Sequence, residues 1–195
     1  MSIKLGITGG IGSGKTIVSK LLNNMGVPVY ISDIEAKRLT VSDANIRSQL
    51  TSLLGKDIYI NNELNKPLLA NYLFGNREHA HIINGIIHPQ VKEDFRHWAK
   101  RLSAHPVIAM EAAILIEAGF ANEVDKIVMV YAPLDIRVER AMKRDSANKE
   151  AVIQRIKSQM DDEEKRKMAD YVIVNDNKTP LIPQILNLLK TLIIV

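Results

Sequence analysis

Short apolar runs alternate along the chain with segments whose apolar residues recur at helical spacing. Five runs have the length of buried strands, at residues 3–8, 27–31, 107–110, 126–131 and 171–174. Helical spacing predicts helices at residues 16–25, 44–54, 134–144, 149–168 and 180–192. Alternation of this kind is typical of a parallel sheet covered by helices. We therefore predict an α/β fold with a three-layer α/β/α core and about five parallel strands.

A long and mostly helical segment separates the second predicted strand from the third. Residues 65–104 have one helical pattern after another, with predicted breaks at Gly75-Asn76 and His88-Pro89. An insertion of this size between sheet strands often covers a ligand. The sequence therefore predicts one domain with a helical insertion.

The composition is that of an ordinary globular chain. Of its 195 residues 46% are hydrophobic and 25% are charged, and none is cysteine. Disulfides, cysteine ligands to zinc and a cysteine nucleophile are therefore excluded. The sequence has no signal-peptide pattern and no apolar stretch near the roughly 20 residues that a bilayer requires. These features predict a cytoplasmic chain with no membrane partner.

The charge is modestly basic, with 26 Lys and Arg against 22 Asp and Glu, a net charge of +4 and a pI near 9.2. A pI above about 9 can mark a nucleic-acid binder. It can equally reflect cations gathered around a phosphorylated small molecule. Aromatic residues make up only 5% of the chain, which argues against a stacking platform for single strands. We expect no nucleic-acid partner.

The most specific motif is a glycine-rich loop that fits G-x-x-x-x-G-K-[ST] at every position. It follows the first predicted strand and begins the first predicted helix. Its residues are Gly9, Gly10, Ile11, Gly12, Ser13, Gly14, Lys15 and Thr16. Such a loop turns its N–H groups inward and binds phosphate at a helix N-terminus. The alternative is a glycine-rich turn with no ligand.

The loop predicts binding of ATP with Mg²⁺. We expect Lys15 to contact the β- and γ-phosphates, the Thr16 hydroxyl to bind Mg²⁺ and the Ile17 N–H to contact the α-phosphate. The D-x-x-G and N-K-x-D segments of GTP-binding switches are absent from the chain. A small-molecule kinase is therefore favoured.

Two carboxylates follow predicted strands at the edge where parallel sheets bind ligands. Asp33 follows the second strand; it could accept the proton of an attacking hydroxyl or bind Mg²⁺ through water, or it could cap the next helix. Glu111 ends the third strand and could reach Mg²⁺ through water, or it could be a solvated strand-end carboxylate.

Cations gather on and just after the predicted helix at 134–144. Arg140 and Arg144 are four residues apart and share one helix face. Arginine supplies paired donors for the charge that develops on a transferring phosphoryl group. The alternative for each is a surface ion pair, with Glu139 or Asp145. The charged stretch at 145–168 is predicted to be a lid that excludes water.

An ordered set of residues over nearly the whole chain resembles the dephospho-coenzyme A kinase family. Few of its motifs are unusual singly, but their order and spacing are specific. The residues are 5–16, Ser32-Asp33, Ala36, His88-Pro89, 114–117, Arg140, Arg144-Asp145, Gln159, Ala169-Asp170, Ile173 and Asn175.

The resemblance implies transfer of the ATP γ-phosphate to the ribose 3′-hydroxyl of dephospho-coenzyme A, the last step of coenzyme A synthesis. It favours Asp33 as the general base. It also implies that the insertion, residues 34–104, binds the acceptor, with His88-Pro89 at its base. The core then consists of residues 1–33, 105–144 and 169–195, with the lid at 145–168.

The resemblance further assigns ATP-binding or catalytic roles to Arg140 and Arg144. It matches Glu117 as an acceptor-binding residue, although a helix-end charge is the competing interpretation. Asn175 follows the last strand, where the family pattern suggests an adenine-side contact and a plain turn asparagine is the alternative.

The chain departs from the family pattern at three positions. Ala113 stands where the family usually has Pro, Ile31 where many members have an acid, and Lys37 where Arg is frequent. These changes bear on acceptor contacts rather than on the reaction. A nucleoside or nucleotide kinase with the same core is the alternative, and a nucleic-acid-dependent ATPase is a more distant one. We expect a monomer or a small homo-oligomer.

Overall fold

The five predicted apolar runs pair side by side into one parallel sheet. The computed structural model describes residues 2–194, so the two end residues of the predicted core, 1 and 195, lie outside the described residues. The strands are β1 (Ile3–Thr8), β2 (Val29–Ile31), β3 (Tyr59–Ile60), β4 (Glu63–Leu64), β5 (Val107–Glu111), β6 (Lys126–Tyr131) and β7 (Tyr171–Val174). The main sheet has the order β2-β5-β1-β6-β7, and each neighbouring pair is parallel. The predicted five-stranded parallel sheet is confirmed.

Helices cover both sides of this sheet, which confirms the predicted α/β class. The α-helices of the described chain are α1 (Lys15–Asn24), α2 (Ser32–Ser42), α3 (Ala44–Leu54), α4 (Lys66–Leu73), α5 (Arg77–Arg101), α6 (Leu134–Asp145), α7 (Lys149–Lys157), α8 (Asp162–Met168) and α9 (Leu181–Ile194). Leu22 of α1 and Ile185 of α9 are fully buried against Leu5 and Ile7 of β1. Burial of each such side chain stabilises the fold by about 1.5–3 kcal/mol. No helix within residues 2–194 is both long and apolar enough to cross a membrane.

The strand register brings the carboxyl ends of the strands to one edge of the sheet. Glu111, the last residue of β5, is paired with Ile7 of β1 on one side and with Ile31 of β2 on the other. Val174 of β7 is paired with Tyr131 of β6. In open α/β sheets this edge is where ligands bind, and it is where the glycine-rich loop begins.

The described chain divides into two compact units. The first contains the five-stranded sheet and consists of the described residues up to Ile31 and from Ala99 onward. The second is Ser32–Trp98. The insertion predicted at 34–104 includes most of this second unit. Its acceptor-binding role, and the lid at 145–168, stay predictions.

Directional contacts join the elements of the second unit. Asp43 caps α3, since its carboxylate accepts a hydrogen bond from the N–H of Ile46 at 2.9 Å. The Tyr59 hydroxyl donates to the carbonyl of Thr40 at 2.6 Å. The Arg47 guanidinium lies 4.1 Å from the centre of the Tyr59 ring. These contacts attach the β3–β4 hairpin to α2 and α3.

The break predicted at His88-Pro89 is wrong, because α5 runs from Arg77 to Arg101 through Pro89. An interior proline removes one main-chain hydrogen bond and crowds the preceding turn. Apolar residues are buried on both sides of it, Ile83 before it and Phe95 after it. Packing of these side chains offsets the local cost, so the helix continues.

Two other helical predictions have different outcomes. The break at Gly75-Asn76 is confirmed, because α4 ends at Leu73 and α5 begins at Arg77. Residues 149–168 were predicted as a charged helical stretch, and the structure divides them into two helices, since α7 ends at Lys157 and α8 begins at Asp162. The carboxylate of Asp161 accepts a hydrogen bond from the N–H of Glu163 at 2.8 Å and starts the new helix.

Candidate active site

The loop between β1 and α1 has the backbone that an anion-binding loop requires. Gly9, Gly12 and Gly14 have φ angles of 148°, 78° and 94°, which residues with side chains rarely adopt. A Cβ at Gly12 would collide with the main chain of Arg137, and one at Gly14 would collide with the carboxamide of Asn175. Glycine is therefore required there by both conformation and space.

Lys15 lies over this loop. Its ammonium group donates to the carbonyl oxygens of Gly9 at 2.8 Å and Gly10 at 3.4 Å. The buried hydroxyl of Ser13 has no hydrogen-bond partner within residues 2–194. The N-terminus of α1, which begins at Lys15, adds main-chain donors and a positive dipole. The donor set fits a polyphosphate such as that of ATP.

Thr16 and Glu111 place two oxygen atoms that suit a hard cation at the start of α1. The Thr16 hydroxyl lies 3.5 Å from a carboxylate oxygen of Glu111, which is buried at the end of β5. The interpretation of Glu111 as a solvated carboxylate is therefore wrong. Within residues 2–194 no cluster of three or more His, Cys, Asp or Glu side chains could hold a metal ion. Mg²⁺ typically takes one or two protein oxygens together with substrate phosphates, and these residues fit that arrangement.

Arg140 and Asn175 both contact the same peptide of the loop. The Arg140 guanidinium donates to the carbonyls of Gly12 at 3.5 Å and Ser13 at 3.4 Å. The Asn175 carboxamide donates to the Ser13 carbonyl at 2.8 Å and accepts from Arg140 at 3.3 Å. Asn175 is only 7% exposed. The structure thus brings two predicted site residues, from α6 and from the end of β7, to the phosphate-binding loop.

Arg144 makes different contacts. Its guanidinium forms two hydrogen bonds with the carboxylate of Asp145, at 2.7 and 3.0 Å, and Asp145 also accepts from Arg155 at 2.7 Å. The hydrogen bonds from Arg144 and Arg155 hold the pKa of Asp145 well below its usual range. The same pairing raises the pKa of Arg144. This is the ion pair that the sequence offered as the alternative role of Arg144.

Two residues contact the loop without having been predicted as site residues. Arg137 is buried, and its Nε donates to the carbonyl of Ile11 at 2.9 Å. Burial lowers the pKa of this guanidinium. Gln159 accepts a hydrogen bond from the N–H of Ile11 at 3.1 Å. The helical spacing of Arg137 and Arg140 could have identified the first, because residues three apart share a face.

Glu117, predicted to bind the acceptor, pairs with a buried lysine in the described chain. The ammonium of Lys165 is fully buried, 2.8 Å from the Glu117 carboxylate and 3.2 Å from the Ala113 carbonyl. The same carboxylate accepts from the N–H of Met160 at 3.1 Å. Glu117 therefore connects the loop after β5 to α8 and to the connection between α7 and α8.

In the second unit, Asp33 and His88 interact electrostatically. Asp33 lies in the first turn of α2, two residues after the end of β2, and is exposed. Burial and the charge of Lys92 lower the pKa of His88, whereas Asp33 acts in the opposite direction. Pro89 is the next residue of the same helix. The structure thus places three predicted acceptor-side residues in one unit.

Comparisons with known proteins agree with this architecture. The family model for dephospho-CoA kinase matches residues 3–180. A crystal structure of a Thermus thermophilus protein has a TM-score of 0.81 at 32% identity, over 99% of this chain and 97% of that one. The dephospho-CoA kinase of Campylobacter jejuni, at 23% identity over 97% of this chain and 96% of that one, has the same fold with a TM-score of 0.71.

A curated relative extends the similarity to nearly the full length of both chains. A dephospho-CoA kinase of Bacteroides fragilis is 58% identical over 192 residues, which are 98% of this chain and 94% of that protein. Family model, sequence relative and architecture agree. The chain belongs to the dephospho-CoA kinase family.

Proposed function

We propose that this chain transfers the γ-phosphate of ATP to the ribose 3′-hydroxyl of dephospho-coenzyme A, giving coenzyme A and ADP in the last step of coenzyme A biosynthesis. The observation that carries the proposal is the phosphate-binding loop held by Arg140 and Asn175, in a chain 58% identical to a dephospho-CoA kinase. A loop of this kind alone would fit many kinases, and membership of the family selects the acceptor.

The loop holds the triphosphate in this mechanism. Main-chain N–H groups of the loop, at the start of α1, face the phosphates, and Lys15 leaves the loop carbonyls for the β- and γ-phosphate oxygens. Support comes from the positive φ angles of the glycines and from the position of the Lys15 ammonium over the loop. Fixed donors of this kind stabilise transition-state charge without reorganising.

Asp33 is the proposed general base. It accepts the proton of the 3′-hydroxyl while the 3′-oxygen bonds to the γ-phosphorus and the bond from that phosphorus to the β–γ bridging oxygen breaks. ADP leaves with the bridging oxygen. Support comes from the position of Asp33 two residues after β2, and from its charge interaction with His88. We propose that His88, Pro89 and Glu117 take part in acceptor binding.

Arginines and a magnesium ion complete the proposed site. Arg140 and Arg144 balance the charge on the transferring phosphoryl group, and the lid at 145–168 excludes water. Thr16, with Glu111 behind it, would hold Mg²⁺, which when bound neutralises charge on the β- and γ-phosphates. Arg140 already contacts the loop, and Arg144 is four residues farther along the chain.

The cellular setting is also part of the proposal. We propose a cytoplasmic enzyme, a monomer or small homo-oligomer, with no nucleic-acid partner. The low aromatic content supports the last point.

A panel of acceptors tests this function directly. Purified protein is incubated with ATP, Mg²⁺ and, in turn, dephospho-coenzyme A, uridine, a nucleoside monophosphate or single-stranded DNA, and ADP formation is measured. Among these acceptors, we expect rapid turnover only with dephospho-coenzyme A. Lys15→Ala should abolish it and leave the circular dichroism spectrum unchanged. Turnover on a nucleoside or nucleotide but not on dephospho-coenzyme A would overturn the proposal, as would stimulation by DNA alone.

A further inference from the structure

Both main-chain polar groups of Ile11, in the middle of the phosphate-binding loop, are held by side chains from distant parts of the chain. Its N–H donates to Oε1 of Gln159 at 3.1 Å, and its carbonyl accepts from Nε of Arg137 at 2.9 Å. Residues 10 and 12, on either side, are glycines. The two hydrogen bonds therefore fix the orientation of the two peptides that contain Ile11, which lie between conformationally free glycines.

The two residues that hold Ile11 belong to elements that also contact each other. Gln159 lies between α7 and α8, within the predicted lid. Arg137 lies on α6 and forms an ion pair with Asp162, the first residue of α8. The Arg137 side chain is only 5% exposed, so this pair is shielded from solvent.

The side chain of Ile11 makes a third connection to the same region. It packs against an apolar cluster that contains Val138 and Ala141 of α6 and Val152 of α7. A Cβ at Gly10 would collide with the Arg137 guanidinium, so the loop packs closely against this side chain of α6. Residues 149–168 are thus attached to the loop at Ile11 by a hydrogen bond and by apolar packing.

These contacts bear on the donors that follow Ile11 in the loop. The N–H groups that a bound triphosphate requires begin at Gly12, one residue later. The Ile11 carbonyl and the Gly12 N–H belong to one planar peptide, so rotation of that peptide turns the first of these donors away, and glycine at position 12 does not oppose the rotation. Fixed donors contribute more to phosphate binding than donors that must be ordered when the ligand arrives.

We propose that Gln159 is a positioning residue for the nucleotide phosphates, acting through the N–H of Ile11. The loop then has its binding geometry only while the 158–161 connection is in place, so nucleotide affinity depends on the docking of residues 149–168. The inference rests on the proposed function only in taking ATP as the nucleotide. It assigns Gln159 no contact with ATP and no part in the chemical step.

The test uses variants of equal side-chain volume in the full-length chain. Gln159→Met keeps the length of the side chain but removes the acceptor, and Gln159→Glu keeps an acceptor oxygen. Gln154→Met is the matched control, since Gln154 is an exposed glutamine of α7. The measurements are the Kd for ATP by titration calorimetry without acceptor, the exchange rate of the Ile11 amide proton by NMR, kcat at saturating ATP, and the thermal midpoint.

We expect Gln159→Met to raise the Kd for ATP by about fivefold, the equivalent of one ordinary hydrogen bond. Its kcat at saturating ATP should stay within about twofold of the parent, and its Ile11 amide should exchange faster. Gln159→Glu should restore slow exchange, and Gln154→Met should match the parent throughout.

Three results would overturn the inference. The first is an unchanged Kd in Gln159→Met with a lowered thermal midpoint, which a purely structural residue would give. The second is an Ile11 amide whose exchange does not respond to Gln159→Met. The third is an equal rise in Kd for Gln154→Met. Failure of the proposed function would look different, because ATP would bind normally while no phosphate reached dephospho-coenzyme A.

Discussion

Arg140 and Asn175 donate to the same acceptor, the carbonyl oxygen of Ser13, and are hydrogen-bonded to each other. The Asn175 amide is 2.8 Å and the Arg140 guanidinium 3.4 Å from that oxygen, and the two side chains meet at 3.3 Å. One residue follows β7 and the other lies on α6, so two separate elements fix one peptide of the phosphate-binding loop. In the proposed mechanism both side chains act on ATP through the loop as well as through any direct contact.

Replacement of Asn175 separates these two roles. Asn175→Ala leaves the buried Ser13 carbonyl with a weaker donor, so the free energy of unfolding should fall by about 1–3 kcal/mol. ATP and GTP should both bind more weakly by a similar factor, because the loop contacts phosphates that they share. Calorimetric titration with each nucleotide measures this. The exposed Asn187→Ala is the control, and a loss confined to ATP would instead indicate that the carboxamide contacts adenine.

Asp33 should matter for turnover and not for ATP affinity. Asp33→Asn removes the proton acceptor, and general-base catalysis typically contributes about 10²–10⁴-fold. We expect kcat to fall within that range and the Kd for ATP to change by less than about twofold. Steady-state kinetics measures kcat and calorimetry measures the Kd for ATP. Asp57→Asn is the control, since Asp57 is an exposed residue of the same unit. A variant that keeps its kcat but binds ATP more weakly would disprove the assignment as base.

The Lys165–Glu117 pair should contribute strongly to stability. Glu117→Ala leaves the ammonium of a fully buried lysine near the Ala113 carbonyl but without its carboxylate partner. Breaking a buried pair from one side costs about 3–5 kcal/mol, whereas replacing the charge with an apolar side chain of similar size is often neutral. In urea unfolding, the free energy of unfolding should therefore fall strongly for Glu117→Ala and change little for Lys165→Met. Glu150→Ala on α7 is the exposed control, and equal effects of the first two variants would contradict this explanation.

His88 should make stability depend on pH. Burial lowers its folded-state pKa below the ordinary value of 6.5. Below about pH 6.5 the unfolded chain then binds more protons than the folded chain, so the free energy of unfolding falls as pH is lowered through that range. One such group contributes at most about 1.4 kcal/mol per pH unit. Urea unfolding from pH 5.5 to 7.5 should give a shallower slope for His88→Gln than for the parent. His81→Gln, exposed on the same helix, should keep the parent's slope, and identical slopes for His88→Gln and the parent would refute the prediction.

The sequence predicted the sheet closely because its strands are continuous apolar runs. β1, β6 and β7 begin and end at the predicted residues, and the phosphate-binding loop lies where the motif requires it. α2 was not among the predicted helices. Besides its first residue, Ser32, the residues that it buries are Leu39 and Thr40. So short an apolar signal does not establish a helical period. The helix break predicted at Pro89 was wrong for the opposite reason. Tertiary packing on both sides of the proline outweighed its local destabilising effect on the helix.

The contacts around the loop could be predicted only in part. The motif identifies Lys15 and Thr16, but the pairing of Arg140 with Asn175 joins residues 35 apart in sequence, which spacing rules cannot connect. The charged run at 161–167 has the pattern of a solvated helix, yet Lys165 within it is fully buried. Burial of a single charged side chain depends on the partner that faces it, here Glu117, and that partner comes from another element.

The position of the transferred phosphate tests the central proposal most directly. Wild-type protein is incubated with ATP, Mg²⁺ and dephospho-coenzyme A, and the product is identified by ³¹P NMR and mass spectrometry against authentic coenzyme A. We predict one new phosphomonoester, on the ribose 3′-oxygen, formed in equal amount to ADP and absent with Lys15→Ala. A phosphate at any other position, or ADP formed without a phosphorylated acceptor, would contradict the account.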